Sequence, residues 1–260
     1  MSTTPLLEIR NATRRFGGLL AVDDFSGVVQ RGERVGLIGP NGAGKTTLFN
    51  LITCFTPLSS GTVRFDDSDI SSLKSFEVAR LGMARTFQNL RVMPNLSVFD
   101  NVSIGALGAF GHSPISALLH RRGYAADVSR RTWEVLERAG LQDVAGELAA
   151  NLSYGKRKYL EIARALALSP RLLILDEPAA GLNDTETAQL GEFVRQLSDE
   201  GLSLLLVEHD MNFVMTLCER VMVMASGRKI ADGTPQQVSS DPVVLEAYLG
   251  SDDDNEGEAA

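Results

Sequence analysis

Gly39, Pro40, Asn41, Gly42, Ala43, Gly44, Lys45 and Thr46, with Thr47 behind them, fit the pattern G-x-x-x-x-G-K-[ST] of a phosphate-cradling loop. The chemistry of such a loop is anion binding. Its glycines let successive backbone N–H groups turn inward on a phosphate without Cβ clashes. A helix starting behind it offers its unpaired N–H groups and positive dipole end to the same anion. Lys45 is suited to reach the β- and γ-phosphates of a nucleoside triphosphate, and the Thr46 hydroxyl to ligate Mg²⁺. A chance glycine-rich turn gives the same letters only roughly once in a hundred chains of this length.

A second set of residues could carry hydrolysis. The apolar run from Leu172 to Leu175 ends in Asp176 and Glu177. Neighbouring strand residues point to opposite faces, so the two acids take different tasks. Asp176 suits Mg²⁺, directly or through water, and Glu177 suits a base that polarises an attacking water. The bland alternative is two surface acids opening a loop. His209 follows the run Leu204–Glu208, at a carboxyl strand end where parallel sheets bind ligands, and its ring could hydrogen-bond a γ-phosphate. Gln88 ends a strand expected over Ala84–Gln88, and its amide both donates and accepts, which suits Mg²⁺ or the attacking water. Phe16 could stack on a nucleotide base; a core aromatic at a strand end is the alternative. Ser153 reads first as a helix N-cap. With the Gly155 N–H and the helix start it also offers a second anion site. A nucleotide held within one chain has no need of that site; a nucleotide sandwiched between two chains does.

Elements must position these groups. Leu6–Phe16 and Ala21–Val29 alternate loosely and predict strands joined at Gly17 and Gly18, an antiparallel region ahead of the first parallel strand, Val35–Ile38. Thr46–Ile52 predicts a helix, and Gly61–Phe65 a strand. From Leu96 to about Leu148 the apolar spacing turns helical, at Leu96–Val102 and Thr132–Gly140. Gly105 to Tyr124 reads as a loop-rich connection. His112 and His120 within it lack a matching ligand set and predict no metal site. Arg121, Arg122, Arg130 and Arg131 read as a solvated face, with lipid headgroups or a partner as the lesser reading. Asn151–Lys158 is turn-like and feeds a helix from Tyr159 to Leu168. Asn183 and Glu186 have capping-box spacing and open a helix to about Ser198. Val221–Met224 and Arg228–Ala231 predict closing strands, and Asp241–Leu249 a short helix.

The chain has 260 residues, 44% hydrophobic and 22% charged, a globular composition with room for a large core. Its net charge is −8, but five carboxylates lie in residues 251–260, a tail expected to be disordered. The body is thus only mildly acidic and lacks the basic surface of a nucleic-acid binder. Cys54 and Cys218 sit in apolar contexts expected to be helical and form no disulfide framework, which predicts a reducing, cytosolic compartment. Met1–Pro5 has no leader pattern, and no apolar run approaches about 18 residues. Any membrane role must then come through a partner.

In this order the pieces resemble an ATP-binding-cassette (ABC) ATPase over about residues 6–250. Phe16 falls at the A-loop position, Gly39–Thr46 at Walker A, Gln88 at the Q-loop and Leu152–Gly155 at the signature. Leu172–Asp176 falls at Walker B, Glu177 at the catalytic glutamate, Ala179–Asn183 at the D-loop and His209 at the switch histidine. Finer strings, among them Phe16–Val22, Arg85–Gln88, Glu177–Asn183, Glu208–Met211 and Glu246–Gly250, are similar to the ATP-binding subunits of branched-chain (hydrophobic) amino acid uptake transporters. Urea and amide importers are close relatives of that group. The signature departs from the general ABC pattern at Tyr154 and Lys156, and the D-loop at Asn183. Tyr154 and Asn183 look like the subgroup; Lys156 does not.

The resemblance implies an α/β fold of the P-loop NTPase type: a RecA-like core, an antiparallel β region and an inserted helical subdomain at about 90–158. The cassette would span residues 1–250, with 251–260 as its tail. It implies an ATPase that binds ATP and Mg²⁺, with Glu177, His209 and Gln88 catalytic and the ion held by Thr46, Gln88 and Asp176. ATP would lie between Phe16 and residues 39–47 of one chain and Ser153 and Gly155 of a second, identical or paralogous. The implied partners are polytopic membrane permease subunits and, indirectly, an external solute-binding protein. That places the chain in the cytoplasm, peripheral on the inner face of the membrane. A urea or amide importer, a lipid-export motor, a soluble ABC ATPase acting on DNA or ribosomes and a non-catalytic module are the alternatives. Tyr154 and Gly181–Asn183 speak against export. A single phosphate loop without sustained heptads speaks against the soluble class, and Glu177 with His209 against the non-catalytic one.

Overall fold

The computed structural model describes residues 4–87, 90–109, 121–208 and 210–249. They divide into two compact units, Met1–Val78 with Arg195–Ala260, and Ala79–Val194. In the first unit β1 (Leu7–Phe16) and β2 (Leu19–Val29) pair antiparallel, Phe16 opposite Leu19. Gly17 supplies the positive φ, +55°, that the two-residue turn needs. Leu7, Ile9 and Ala12 of β1 are buried. The register slips beyond Ile9, where Asn11 and Asp24 take positive φ and the Asn11 side-chain amide donates to the Asp24 carboxylate at 2.7 Å. β3 (Arg34–Ile38) precedes the phosphate loop, and α1 (Lys45–Ile52) follows it, burying Leu48, Phe49, Leu51 and Ile52. Side chains of this size contribute about 1.5–3 kcal/mol each when fully buried. β4 (Ser60–Phe65) pairs with β1 and with β5 (Ser68–Asp69), giving a sheet of order β2-β1-β4-β5.

After α2 (Ser75–Arg80), the second unit contains β6 (Met83–Arg85), α3 (Val98–Ala109), α4 (Arg121–Arg138), α5 (Tyr154–Ala167), β7 (Leu172–Asp176) and most of α6 (Asp184–Asp199). β6 runs parallel to β7, with Met83 opposite Leu172. All five residues of β7 are buried, as its unbroken apolar run requires of a strand covered on both faces. The strand expected over Ala84–Gln88 stops at Arg85, and Thr86 turns its hydroxyl to the Asp176 N–H at 3.2 Å. The loop expected from Gly105 to Tyr124 is helical at both ends, where α3 runs to Ala109 and α4 begins at Arg121. Gly105 is a contact glycine, not a turn: a Cβ there would meet the Arg164 carbonyl at 2.2 Å. His112 and His120 lie outside the described residues. Arg130 is exposed and paired with Asp127 and Glu134, as a solvated face implies. Arg131 departs from it: the side chain is part-buried and donates to the Leu166 carbonyl at 2.9 Å. α5 starts five residues ahead of Tyr159, at Tyr154, because Ser153 caps it.

The chain then returns to the first unit with β8 (Ser203–Val207), α7 (Met211–Leu217), β9 (Arg220–Ala225), β10 (Arg228–Gly233), α8 (Pro235–Ser239) and α9 (Pro242–Leu249). β3 lies between β8 and β9, parallel to both, and β10 is antiparallel to β9. Helices α2, α7 and α8 carry too few turns for their apolar spacing to be read from sequence. Cys54 and Cys218 sit just past the ends of α1 and α7 and not within helices. Burial pushes their thiols up to about 11 and about 12. Among the described residues no helix is long and apolar enough to cross a membrane.

Candidate functional site

The phosphate loop lies between β3 and α1 of the first unit. Gly39, at φ +154°, takes a backbone conformation that favours glycine and is closely packed: a Cβ would come within 2.0 Å of the Met224 carbonyl oxygen. At Gly44, φ +100°, it would meet the Ala21 carbonyl oxygen at 2.3 Å. The loop is therefore clamped between β2 and β9 by backbone packing. The Gly227 N–H donates to the Ala43 carbonyl at 2.9 Å and fixes its far side. The Lys45 side chain is buried, and its ammonium donates to the carbonyls of Gly39 at 2.6 Å and Pro40 at 2.9 Å. α1 begins at Gly44 without a side-chain cap, and Thr46 stands exposed in its first turn. This is the arrangement that an external anion completes. Asn41 and Gly42 are exposed, Ala43 is buried, and Pro40 and Thr47 are half-buried. Phe16 ends β1 as a residue 46% exposed, with the Arg14 guanidinium 4.5 Å from its ring centroid, so it lies at the surface and is not a core aromatic.

The second unit carries the acids and the signature. Asp176 is the last residue of β7, buried and ion-paired with buried Arg85 at 2.8 Å. Glu177 has already left the strand: its φ is +48°, in the left-handed region that a bulky residue rarely enters. That turn, more than strand alternation, separates the two acids. Ser153 caps α5, accepting from the Lys156 N–H at 3.3 Å. Its hydroxyl still has a donor and a further lone pair to offer. Gly155 is buried against α6, where a Cβ would lie 2.9 Å from a Glu186 carboxylate oxygen. Glu186 and Asn183 close the expected capping box, each accepting from the other's N–H, at 3.1 and 2.9 Å. Gln88 and His209 lie outside the described residues. The residue after His209, Asp210, caps α7 by accepting from the Phe213 N–H.

Several residues around these motifs were not singled out for the site from sequence. Lys158 of α5 is 3% exposed and donates to the Glu177 carbonyl at 3.1 Å. Glu161, three residues on, is buried and accepts from the Phe87 and Arg91 N–H groups, which bracket residues 88–90 of the sequence. Burial pushes its carboxyl up, against those two hydrogen bonds. Tyr248 of α9 takes a hydrogen bond from the Gly39 backbone, and its burial pushes the phenol up. The available signal was a pair of charges, Lys158 and Glu161, on the same helix stripe as Tyr154 and Ala165. Beside Glu161 a cavity of about 390 Å³ is lined by Arg85, Phe87, Arg91, Ile104 and Arg164. The Arg91 guanidinium lies 4.1 Å from the Phe87 ring centroid.

Thr46 in the first unit and Asp176 in the second each carry, by themselves, a hard oxygen donor of the type Mg²⁺ takes together with phosphate oxygens. Among the described residues no three or more His, Cys, Asp or Glu gather into a protein-only cage.

A family model described as "ABC transporter" matches residues 22–180, and one described as "Branched-chain amino acid ATP-binding cassette transporter" matches residues 228–254. The chain is 41% identical over 252 residues to the high-affinity branched-chain amino acid transport ATP-binding protein LivG of Escherichia coli K12, covering 95% of this chain and 98% of that protein. It is 34% identical over 247 residues to the lipopolysaccharide export system ATP-binding protein LptB of the same strain, with the same coverage. The crystal structure of the ADP conformation of MJ1267, an ATP-binding cassette of an ABC transporter, superposes with a TM-score of 0.84 at 32% identity over 95% of this chain and all of that one. These findings make the fold that of an α/β ABC ATPase, and the chain belongs to the ABC transporter family as an ATP-binding, ATP-hydrolysing subunit.

Proposed function

We propose that the chain is the motor subunit of an importer for branched-chain or other hydrophobic amino acids. The observation that carries this reading is the match of residues 228–254 to the branched-chain cassette model. The higher identity to LivG than to LptB favours import over export. In this reading the cassette spans residues 1–250 with a helical subdomain at about 90–158, and 251–260 is an appended tail.

Phe16 stacks on the adenine, and residues 39–47 wrap the phosphates with backbone N–H groups. Lys45 contacts the β- and γ-phosphates, and Ser153 and Gly155 close on the nucleotide of a second chain. Glu177 takes a proton from the attacking water while Gln88 and His209 orient water and γ-phosphate. Thr46, Asp176 and Gln88 would hold Mg²⁺, which when bound neutralises charge on the β- and γ-phosphate oxygens. The groove beside Glu161, lined by Arg85, Arg91 and Arg164 together with Phe87, is where a membrane permease segment docks. Such a contact holds the chain on the inner face of the membrane.

The test is capture of tagged Glu177→Gln chain from native membranes with ATP and Mg²⁺, followed by mass spectrometry. The expected result is two polytopic permease subunits and a second cassette ATPase, with the permeases identifying an amino acid system or a urea or amide one. Recovery of lipid-export, ribosomal or DNA-repair partners would overturn the import reading.

A further inference from the structure

Glu177 occupies a backbone conformation that needs external support. Its φ of +48° is unfavourable for a side chain with a Cβ, and Pro178 behind it restricts it further toward extended geometry. The support comes from α5. The Glu177 carbonyl accepts from the Lys158 ammonium at 3.1 Å and from the Ala180 N–H at 3.2 Å. The Ala180 carbonyl in turn accepts from the Tyr154 hydroxyl at 3.2 Å. The Tyr154 ring lies close enough to Gly181, φ +80°, that a Cβ there would sit 2.9 Å from it. The Lys158 ammonium is 5.7 Å from the same ring's centroid. A buried ammonium is costly unless it is hydrogen-bonded, so its aim at this one turn is a specific feature of the fold.

We infer that Tyr154 and Lys158 are positioning residues for the catalytic glutamate, pinning the turn 177–181 to the helix that carries the signature. The inference rests on the reading of Glu177 as the general base. It adds that Ser153 and Gly155, read above as closing on a second chain's nucleotide, and Glu177, read as the base, ride on one braced piece. Displacement of the signature by a nucleotide is then transmitted to the base through Lys158 and Tyr154 within the same chain. Tyr154 stands where the general ABC pattern has glycine, so this brace is built partly from the signature's departure.

The test is ATP hydrolysis by the full chain, in steady state and in single turnover. Lys158→Met is expected to lower kcat about 10–100-fold with KM for ATP within about twofold, as misplacement of a catalytic group does. Tyr154→Phe, which removes one exposed hydroxyl and keeps the ring, is expected to lower kcat about 3–10-fold. On a Glu177→Gln background neither substitution should reduce residual turnover further, because residues that act through Glu177 have nothing left to position. Wild-type kcat in both single variants, or losses that multiply with that of Glu177→Gln, would overturn the inference. Should Lys158→Met fail to fold, Tyr154→Phe alone decides between these outcomes. Wild-type turnover in Glu177→Gln itself overturns the base assignment and the brace together, and so separates the two failures.

Discussion

In the first unit the phosphate loop is shaped by backbone against backbone, whereas in the second unit the acids and the signature are held by side chains. Gly39 and Gly44 press on the carbonyls of Met224 and Ala21, and α1 starts without a side-chain cap. α5 and α6 both start with caps, from Ser153 and from the Asn183–Glu186 box. Asp176 is anchored by Arg85, and the Glu177 carbonyl by Lys158. The first unit thus holds its loop mainly by backbone packing, with the Lys45 ammonium on two of its carbonyls. The second presents groups whose placement depends on individual ion pairs and hydrogen bonds. Binding and hydrolysis should accordingly respond differently to substitution.

The largest separation is expected at Glu177. Glu177→Gln should slow turnover about 10²–10⁴-fold, the range for loss of a general base, and leave ATP affinity unchanged. Loss of affinity in an equilibrium titration would break the division between the units. Next is Arg85→Ala, which strands the Asp176 carboxylate in a buried site. It should cost about 3–5 kcal/mol, read from the urea midpoint, as removal of one partner of a buried ion pair does. On the proposed assignment of Lys45 to the β- and γ-phosphates, Lys45→Ala should remove a charged contact worth about 1.5–3 kcal/mol and weaken a fluorescent ATP analogue about tenfold to a hundredfold. Unchanged affinity there would contradict the phosphate-loop assignment.

The smallest effect is expected at Glu161, and it depends on pH. Burial raises this carboxyl above its ordinary 4.5, so the folded state favours the protonated form. Its contribution to stability is therefore full below pH 4.5 and is lost as pH rises through the elevated value. Glu161→Gln keeps an acceptor for the Phe87 and Arg91 N–H groups and removes the charge. Urea midpoints should then decline less between pH 4.5 and neutrality than in the parent chain. A steeper decline would show that the ionised carboxylate stabilises this groove.

Much of the molecule could be read along the chain. The Asn183–Glu186 spacing reports an interaction between residues three positions apart, and the run Leu172–Asp176 and the glycine pattern ahead of Lys45 are legible as contiguous strings. Periodicity and capping rules describe interactions at that range. Short helices such as α2 and α8 escaped because one or two turns carry no period, and the span from Gly105 to Tyr124 misled because glycines that serve close packing look like glycines that serve turns.

The type of chemistry was therefore contained in local strings: a phosphate loop, an apolar run ending in two acids, and a serine and glycine at a helix start. Tertiary structure alone decided what those groups lean on. The Arg85–Asp176 pair joins residues 91 apart, Tyr154 and Ala180 are 26 apart, and Lys158 and Glu177 are 19 apart. Such contacts follow from which strands lie side by side and which helix face turns inward. They depend on the summed burial of the whole core and on no single segment, so the left-handed turn at Glu177 and the lysine that supports it become visible only when the chain is folded.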